Sequence, residues 1–290
     1  MIELIKKYFR KEINKDSTKD FSIEKITDDW FKSHFIYAPD VVYDWIKKHN
    51  KKSNISLLDF GCGDGIMSLG LKLRHPINSL CGVDLHNSNS FLAETAKTQI
   101  GLQNLPSKLE FITIDPNISL FESVQRRFDY VYSWSVFEHI EIEFIPKILK
   151  EIKETIANQG AFFIQIEPLY YSPFGSHLGG VIKESWAHLL LTEEELSKSV
   201  YGFDLESMDG EFKNKTFEVC SNDDFKKYLM REYKTLNKLT CGQLIKLCED
   251  AGFSVLECWK NKVNIEPPKQ LLNIYEREDL VTSEIRILLI

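Results

Sequence analysis

The sequence has no closely spaced cysteine pair, no long apolar run and no excess of basic residues. None of its six cysteines forms a C-x-x-C pair, which argues against a zinc knuckle or a thioredoxin-like site. The N-terminus becomes charged within a few residues, unlike a signal peptide, and no stretch is apolar enough to cross a bilayer. We therefore expect a cytoplasmic protein with reduced thiols.

Basic side chains are too few for a protein that mainly binds nucleic acid. The chain has 36 lysines and arginines against 43 acids, a net charge of −7, whereas phosphate binding needs a cationic surface. The basic run over residues 47–52 fits a solvated helix end. We expect a small-molecule acceptor, no nucleic acid and no membrane span, and a homodimer if the chain associates.

Strand and helix patterns alternate after residue 53. The strand patterns are "ISLLDF", "SLCGVDL", "LEFITID", "FDYVYS", "AFFIQIEP", "FSVLECWK" and "SEIRILLI". This alternation predicts an α/β fold with a mostly parallel sheet covered by helices on both faces, which binds ligands at the carboxyl ends of its strands. We predict one domain with a helical N-terminal cap (1–53), a core (54–167 and 240–290) and an insertion after strand five (168–239).

Helical patterns flank and interrupt these strands. "MIELIKKYFRKEI" and "APDVVYDWIKKH" predict amphipathic helices in the cap, whose aromatic residues either pack ordinarily or close over a ligand. "VFEHIEIEFIPKILKEIKETI" predicts one long helix that ends at Gln159-Gly160. The S-x-x-E pattern of Ser135 and Glu138 is typical of a capping box at its start.

The stretch "LLDFGCGDGI" places Gly61, Gly63 and Gly65 directly after a strand. A metal, a dinucleotide and S-adenosylmethionine are the candidate ligands of such a loop. A dinucleotide fingerprint needs its third glycine three residues after the second, and here it comes one residue early. Acids stand near the ends of three successive strands, at Asp59, Asp84 and Asp115.

Several stretches together resemble the Rossmann-like, class I S-adenosylmethionine-dependent methyltransferases over most of the chain. They are "LLDFGCGDG", "GVDL", "FITIDP", "FDYVYSWSVFEHI" and "LIKLCEDAGFSVLE". The resemblance implies a seven-stranded sheet whose last strand, "SEIRILLI", is antiparallel. It also implies that Asp84 binds the ribose hydroxyls, that Leu85 packs on the adenine and that Asp115 meets its edge. S-adenosyl-L-methionine is then the cofactor and S-adenosyl-L-homocysteine the product. The cofactor-binding residues that it implies are Asp59, Gly61, Cys62, Gly63, Gly65, Asp84, Leu85, Asp115, Pro116 and Ser133.

"SWSVFEHI" follows the fourth strand, where acceptor groups lie in this family. Glu138 and His139 form a natural acid/base pair there, although Glu138 as a capping residue and a structural His139 are the alternatives. The motif resembles the E-x-x-E-H of quinone-type O-methyltransferases, which can bind a divalent metal. Ser135 replaces the first glutamate, so we predict no metal; an ion shared by His139, His177 and His188 is the alternative.

The insertion concentrates polar and aromatic residues in "EPLYYSPFGSHLGGVIKESWAHLLLTEEEL". His177 and His188 are its candidate catalytic residues, and its aromatic rings suit recognition of a sugar or other polar ring. A lid that packs its aromatics on the core is the alternative. The segments "SPFGSHL" and "WAHLL" of the insertion resemble segments of bacterial methyltransferases, some of them tied to surface-glycan synthesis.

The expected activity is methyl transfer to an oxygen of a small polar acceptor, such as a sugar or a capsule or lipopolysaccharide precursor. A phosphate-type or carboxyl oxygen is the nearest alternative. Further alternatives are a protein or nucleic-acid methyltransferase, a non-catalytic S-adenosylmethionine-binding protein and a nicotinamide-dependent oxidoreductase. The glycine spacing disfavours the last of these.

Overall fold

The computed structural model describes residues 21–49, 52, 54–207 and 221–290. The predicted helix over "MIELIKKYFRKEI" lies outside these residues. The described chain contains seven strands, which form one sheet. They are β1 (Ile55–Phe60), β2 (Ile77–Asp84), β3 (Leu109–Thr113), β4 (Phe128–Trp134), β5 (Ile156–Ile166), β6 (Val255–Lys262) and β7 (Thr282–Leu289).

The sheet confirms the predicted α/β fold. Its strand order is β3-β2-β1-β4-β5-β7-β6, and its last strand is antiparallel as expected. Strand β1 pairs in parallel with β2 on one side and β4 on the other, so that Leu58 lies between Cys81 and Val131. Because the strand order reverses at β1, its carboxyl end is the position where an open α/β sheet binds ligands.

Helices precede and follow the strands along the chain, and the predicted "APDVVYDWIKKH" helix is one of them. None of the described helices combines the length and apolar character needed to cross a bilayer. They are α1 (Asp29–Lys32), α2 (Ala38–His49), α3 (Ile66–Arg74), α4 (Leu92–Ile100), α5 (Leu120–Val124), α6 (Ile145–Thr155), α7 (Ala187–Leu190), α8 (Glu193–Gly202), α9 (Asn222–Thr235), α10 (Cys241–Asp250), α11 (Lys269–Leu272) and α12 (Arg277–Val281).

The long helix predicted after β4 is wrong in its first half. A 3-10 turn covers Phe137–His139, and α6 begins only at Ile145. The side chain of Asn237 donates hydrogen bonds to the carbonyls of Phe137 and Ile140, which a continuous helix would need for itself. Pro146 then stands in the first turn of α6, where its missing N–H costs nothing.

Two smaller predictions for this region are also wrong. Ser135 does not cap a helix: it has a φ of 52° and its hydroxyl donates to Gln165 Oε1 at 3.1 Å. The helix does not run to Gln159-Gly160, because α6 ends at Thr155 and β5 begins at the next residue. Gly160 instead lies within β5, where a Cβ would be 2.6 Å from the carbonyl oxygen of Asp129.

The chain divides into two compact units. The first unit runs to Trp134 and adds Lys150–Phe163 and Leu288–Ile290, and the second consists of Ser135–Leu149 and Ile164–Ile287. The predicted organisation as one domain with a cap (1–53), a core (54–167 and 240–290) and an insertion (168–239) stays a prediction.

In the first unit, α3 lies unusually close to the turn that precedes α2. A Cβ on Gly70 would be 2.5 Å from the carbonyl oxygen of Phe35 and 2.8 Å from Pro39 Cγ. Arg74, one turn further along α3, donates to the carbonyls of Phe35 at 3.1 Å and Ile36 at 2.9 Å. These bonds satisfy carbonyls in the π-helical turn Ser33–Tyr37 and fix it against α3.

We predict that Gly70→Ala lowers the free energy of unfolding by about 1–3 kcal/mol, because the added methyl group has no space. Helix propensity alone predicts the opposite, since alanine is about 1 kcal/mol better than glycine in a helix. The control is Gly202→Ala in α8, where a Cβ meets no atom within 4 Å and which we expect to be neutral or slightly stabilising. Urea denaturation followed by circular dichroism measures both, and equal stability of the two variants would contradict the packing argument.

Candidate active site

The loop after β1 has a backbone that favours glycine at three positions. Gly61, Gly63 and Gly65 have φ angles of 80°, 51° and 76°, in the left-handed region. The amides of Gly61 and Cys62 donate to the carbonyl of Val83 at 2.9 and 3.0 Å, which holds the loop against β2. A Cβ on Gly65 would be 2.7 Å from the ring of Phe111, whereas one on Gly63 would meet open space. Gly63 therefore marks the side of the loop that a ligand can approach.

Asp84 lies beside this loop at the carboxyl end of β2. Its Oδ2 accepts from the amide of Gly63 at 2.9 Å, and its Oδ1 accepts from the amide of His86 at 3.0 Å. Each carboxylate oxygen keeps a further lone pair for a ligand hydroxyl. The next residue, Leu85, exposes 53% of its surface, so an acid and an apolar side chain stand together at this edge.

Asp59 is the acid that ends β1, and it lies behind the loop. Its side chain is only 3% exposed, and its Oδ2 accepts from Ser68 Oγ of α3 at 2.6 Å. The Ser68 hydroxyl lies 3.4 Å from the Tyr132 hydroxyl. Burial raises the pKa of Asp59 to about 7, and the bond from Ser68 offsets only part of that effect.

The other predicted cofactor residues lie at the ends of β3 and β4 and in the loop. Asp115 is exposed, and its Oδ1 accepts from the backbone and side-chain amides of Asn117, both at 2.9 Å. Pro116 is exposed beside it. Ser133 is fully buried, and its hydroxyl has no hydrogen-bond partner among the described residues. Burial raises the pKa of the Cys62 thiol, which makes it an unreactive small side chain.

Trp30 and Asp64 are contacts of the loop that the sequence analysis missed. The indole Nε1 of Trp30 donates to Asp64 Oδ2 at 3.0 Å, and Asp64 Oδ1 accepts from the amide of Ile66 at the start of α3. Trp30 is 48% exposed and stacks on His34 at 3.8 Å. No periodicity distinguishes this tryptophan from a core residue, so the sequence carries no signal for the contact.

In the second unit, the 3-10 turn and the insertion bring Glu138, His139 and His177 together. Their potential ligand atoms lie within 4.8 Å of one another, and the two imidazole centroids are 5.1 Å apart, edge to face. Glu138 is 4% exposed, and neither carboxylate oxygen has a hydrogen-bond partner among the described residues. Burial raises the pKa of Glu138 to about 8.

The two histidines of this cluster are held differently. His177 has a φ of 60°, and its ring donates to the carbonyl of Pro168, whereas its Nε2 has no partner in the described chain. Burial lowers its pKa to about 4. His139 Nδ1 lies 3.8 Å from Glu232 Oε2, too far for a hydrogen bond. Burial lowers the pKa of His139, and the Glu232 carboxylate opposes that shift.

His188, the fourth predicted catalytic residue, has a different environment. Its Nε2 lies 2.6 Å from the carbonyl oxygen of Tyr170, and the two rings pack edge to face. Burial lowers its pKa to about 4, so the neutral ring donates to that carbonyl. Its catalytic role stays a prediction, and the observed bond gives it a structural task in the insertion.

Asn237 positions the turn that carries Glu138 and His139. No pattern in the sequence indicates this contact. The backbone amide of Asn237 donates to the carbonyl of Glu138 at 2.9 Å, and its side-chain amide donates the two bonds to the same turn described above. A cavity beside Glu138 has mainly apolar walls. It is lined by Phe137, Glu138, Ile166, Leu169, Tyr170, Asn237, Leu239, Thr240 and Leu244.

We predict that Asp59→Asn removes a loss of stability with rising pH. The pKa of Asp59 is about 7 in the folded protein and about 3.9 when unfolded, so the folded state holds the proton more tightly. Stability from this proton is present at low pH and is lost as pH rises toward 7. Thermal unfolding at pH 4 to 8 should therefore show an advantage of the variant that grows up to about pH 7 and then levels off. A constant difference would contradict the raised pKa; Glu138 and Glu167 titrate equally in both proteins.

Comparison with known proteins gives a family match. Residues 37–258 match the family described as Methyltransferase domain, and no curated protein matches the sequence. Solved structures that align with the chain include an S-adenosylmethionine-dependent methyltransferase from Clostridium acetobutylicum, with 14% identity, a TM-score of 0.47 and coverage of 87% of this chain and 89% of that one. Another is magnesium protoporphyrin IX methyltransferase from Synechocystis with bound SAH, with 13% identity, a TM-score of 0.49 and coverage of 99% and 92%.

The family match spans more than half of the chain. It includes the glycine loop, the strand-end acids Asp84 and Asp115, and the Glu138 cluster. The cofactor of such an enzyme is S-adenosylmethionine. The chain therefore belongs to the methyltransferase domain family and is an S-adenosylmethionine-dependent methyltransferase.

Proposed function

We propose that this methyltransferase acts in the cytoplasm on an oxygen of a small polar acceptor, such as a sugar or a surface-glycan precursor of capsule or lipopolysaccharide. The observation that carries the proposal is the cluster of Glu138, His139 and His177. Four of its polar atoms are buried without hydrogen-bond partners among the described residues, which suits a site that activates a hydroxyl group. An acceptor that is already ionised would not need such a site.

The first unit supplies the cofactor groups in this proposal. Asp84 accepts hydrogen bonds from the ribose hydroxyls. It does so through the carboxylate lone pairs that the amides of Gly63 and His86 do not use. The open space at Gly63 admits the methionine and ribose parts, and the exposed face of Leu85 packs on the adenine. Asp115 and Pro116 stand exposed after β3, where they meet the adenine edge.

The second unit supplies the acceptor groups. The acceptor oxygen attacks the methyl carbon in line with the carbon–sulfur bond, whose electron pair stays on sulfur to give S-adenosylhomocysteine. The hydroxyl proton passes to the neutral imidazole of His139, whose Nδ1 has no hydrogen-bond partner among the described residues, as the new oxygen–carbon bond forms. Alignment contributes most to such a displacement, and assisted removal of the proton adds about 10²–10⁴-fold.

Among the aromatic residues of the insertion, only some are available for an acceptor ring. Trp186 is 1% exposed, and its indole donates to the carbonyls of Tyr171 and Leu280, both at 3.1 Å. Its role is therefore structural. Tyr171 is partly exposed and Phe174 is 41% exposed. We infer that these two rings are the stacking surface for a sugar-like acceptor.

The cofactor assignment predicts that Asp84→Ala lowers the affinity for S-adenosylhomocysteine by about 100-fold, since a carboxylate with two hydroxyl bonds is worth about 1.5–3 kcal/mol per bond. Isothermal titration calorimetry measures the affinity, with NAD as a ligand that should give no heat. Asp250→Ala, on the surface of α10, is the matched control. Unchanged affinity in Asp84→Ala would contradict the role of this acid, and NAD binding would support the oxidoreductase alternative.

The acceptor assignment predicts that Glu138→Gln, His139→Ala and His177→Ala each lower turnover by about 10²-fold or more. Their affinity for S-adenosylhomocysteine should stay within about twofold of the original. Formation of S-adenosylhomocysteine is followed by mass spectrometry with a panel of nucleotide sugars and glycan precursors as acceptors. His49→Ala, an exposed histidine of α2, controls for the loss of a surface imidazole.

Other outcomes of that assay favour the alternatives. Unchanged turnover in all three variants would mean that the acceptor oxygen is already ionised, as in a phosphate or a carboxylate. Binding of S-adenosylhomocysteine without turnover of any acceptor would favour a non-catalytic binding protein.

A further inference from the structure

Four buried polar atoms in the second unit share one location and have no hydrogen-bond partner in the described chain. They belong to two consecutive residues and to a third that lies almost 40 residues further along the chain but adjacent in space. Burying such atoms without a hydrogen-bond partner is unfavourable, and native proteins contain few of them. The atoms are Oε1 and Oε2 of Glu138, Nδ1 of His139 and Nε2 of His177.

The chemistry of these atoms is that of a metal site. One carboxylate and two imidazoles are a common three-ligand set for zinc, and related sets hold other first-row transition ions. The potential ligand atoms all lie within 4.8 Å of one another. Two ligands bonded tetrahedrally to one ion at about 2.1 Å are about 3.4 Å apart, so the ligand atoms must approach one another by at most about 1.4 Å to reach bonding distance.

We propose that Glu138, His139 and His177 bind one divalent transition-metal ion such as Zn²⁺. Magnesium and calcium fit less well, because they prefer ligand sets made of oxygen atoms. Three protein ligands leave a coordination position open for an oxygen of another molecule. A site with this donor set therefore belongs to the class that binds a substrate or water.

Neighbouring groups already hold the ligands in place. The ring of His177 donates to the carbonyl of Pro168, which leaves its Nε2 with a lone pair that can bind an ion. Asn237 fixes the turn that carries Glu138 and His139. Glu232 Oε2, 3.8 Å from His139 Nδ1, adds a negative charge that favours a cation.

This ligand set differs from both sets considered from the sequence. Ser135 stands where a first glutamate was missing, and its hydroxyl is bonded to Gln165. His188 is bonded to the backbone at Tyr170 and is not part of the set. His177, from the insertion, replaces the missing ligand. The sequence predicts that no metal binds, and this is the competing outcome of the test.

The use of the ion in catalysis rests on the proposed function, whereas metal binding itself does not. An acceptor hydroxyl in the open position would lose its proton more readily, since a bound cation lowers the pKa of an oxygen ligand. The two imidazoles would then serve as ligands rather than as proton acceptors.

The test is metal binding by the full-length protein after treatment with EDTA and dialysis. Titration with CoCl₂ is followed by visible absorption, which reports the coordination geometry, and titration with ZnCl₂ is followed by calorimetry. We expect one equivalent of each ion to bind and the midpoint of thermal unfolding to rise with bound Zn²⁺. Glu138→Gln and His177→Ala should each lower the affinity by about 100-fold or more, and His49→Ala should leave it unchanged.

Two results would overturn the site. One is the absence of saturable binding to the unaltered protein, which decides the matter even if a variant does not fold. The other is equal binding in His177→Ala, with circular dichroism confirming that the variant is folded. Calorimetry with S-adenosylhomocysteine on the same samples reports the cofactor site separately, so loss of the metal site is distinguishable from failure of the proposed function.

Discussion

A hydrogen bond between a strand and a helix joins the two elements that flank the glycine loop. Ser68 of α3 donates to Asp59 at the end of β1, and both side chains are almost fully buried. The loop between β1 and α3 has five residues, three of them glycines at positive φ. Because both of its ends are held, these flexible residues have little freedom to move relative to β2. Together with the bonds from the amides of Gly61 and Cys62 to the Val83 carbonyl, this bond holds the Gly63 amide beside Asp84.

The Glu138 cluster depends on backbone conformations that are uncommon for ordinary residues. Ser135 and His177 have φ angles of 52° and 60°, values that residues other than glycine seldom adopt. Hydrogen bonds hold both positions, from the Ser135 amide to the Gln165 carbonyl at 3.0 Å and from the His177 amide to the Phe174 carbonyl at 3.2 Å. Strain of this kind is concentrated at functional sites, and here it brings polar side chains together away from water.

The predictable part of the molecule is the part that local patterns determine. The strand patterns and the glycine spacing depend on residues that are adjacent in the sequence, and the structure confirms the α/β sheet and the helix Ala38–His49. The helix predicted from residue 136 failed because Asn237, about 100 residues away, binds the carbonyls that it required. The proximity of His177 to Glu138 and the contact of Trp30 with Asp64 could not be predicted for the same reason. No local spacing encodes a contact that the tertiary fold creates.

The insertion contains a small hydrophobic cluster of its own, separate from those around β1. Leu178, Val200 and Met230 are at its centre, and all three are almost fully buried. Its helices α8 and α9 therefore pack against each other through side chains that the cofactor loop does not use. Substitutions on the outer surfaces of these helices leave both the cluster and the glycine loop intact. On the proposal that the insertion binds the acceptor, this separation lets residues of the insertion change without altering the loop that is proposed to bind the methyl donor.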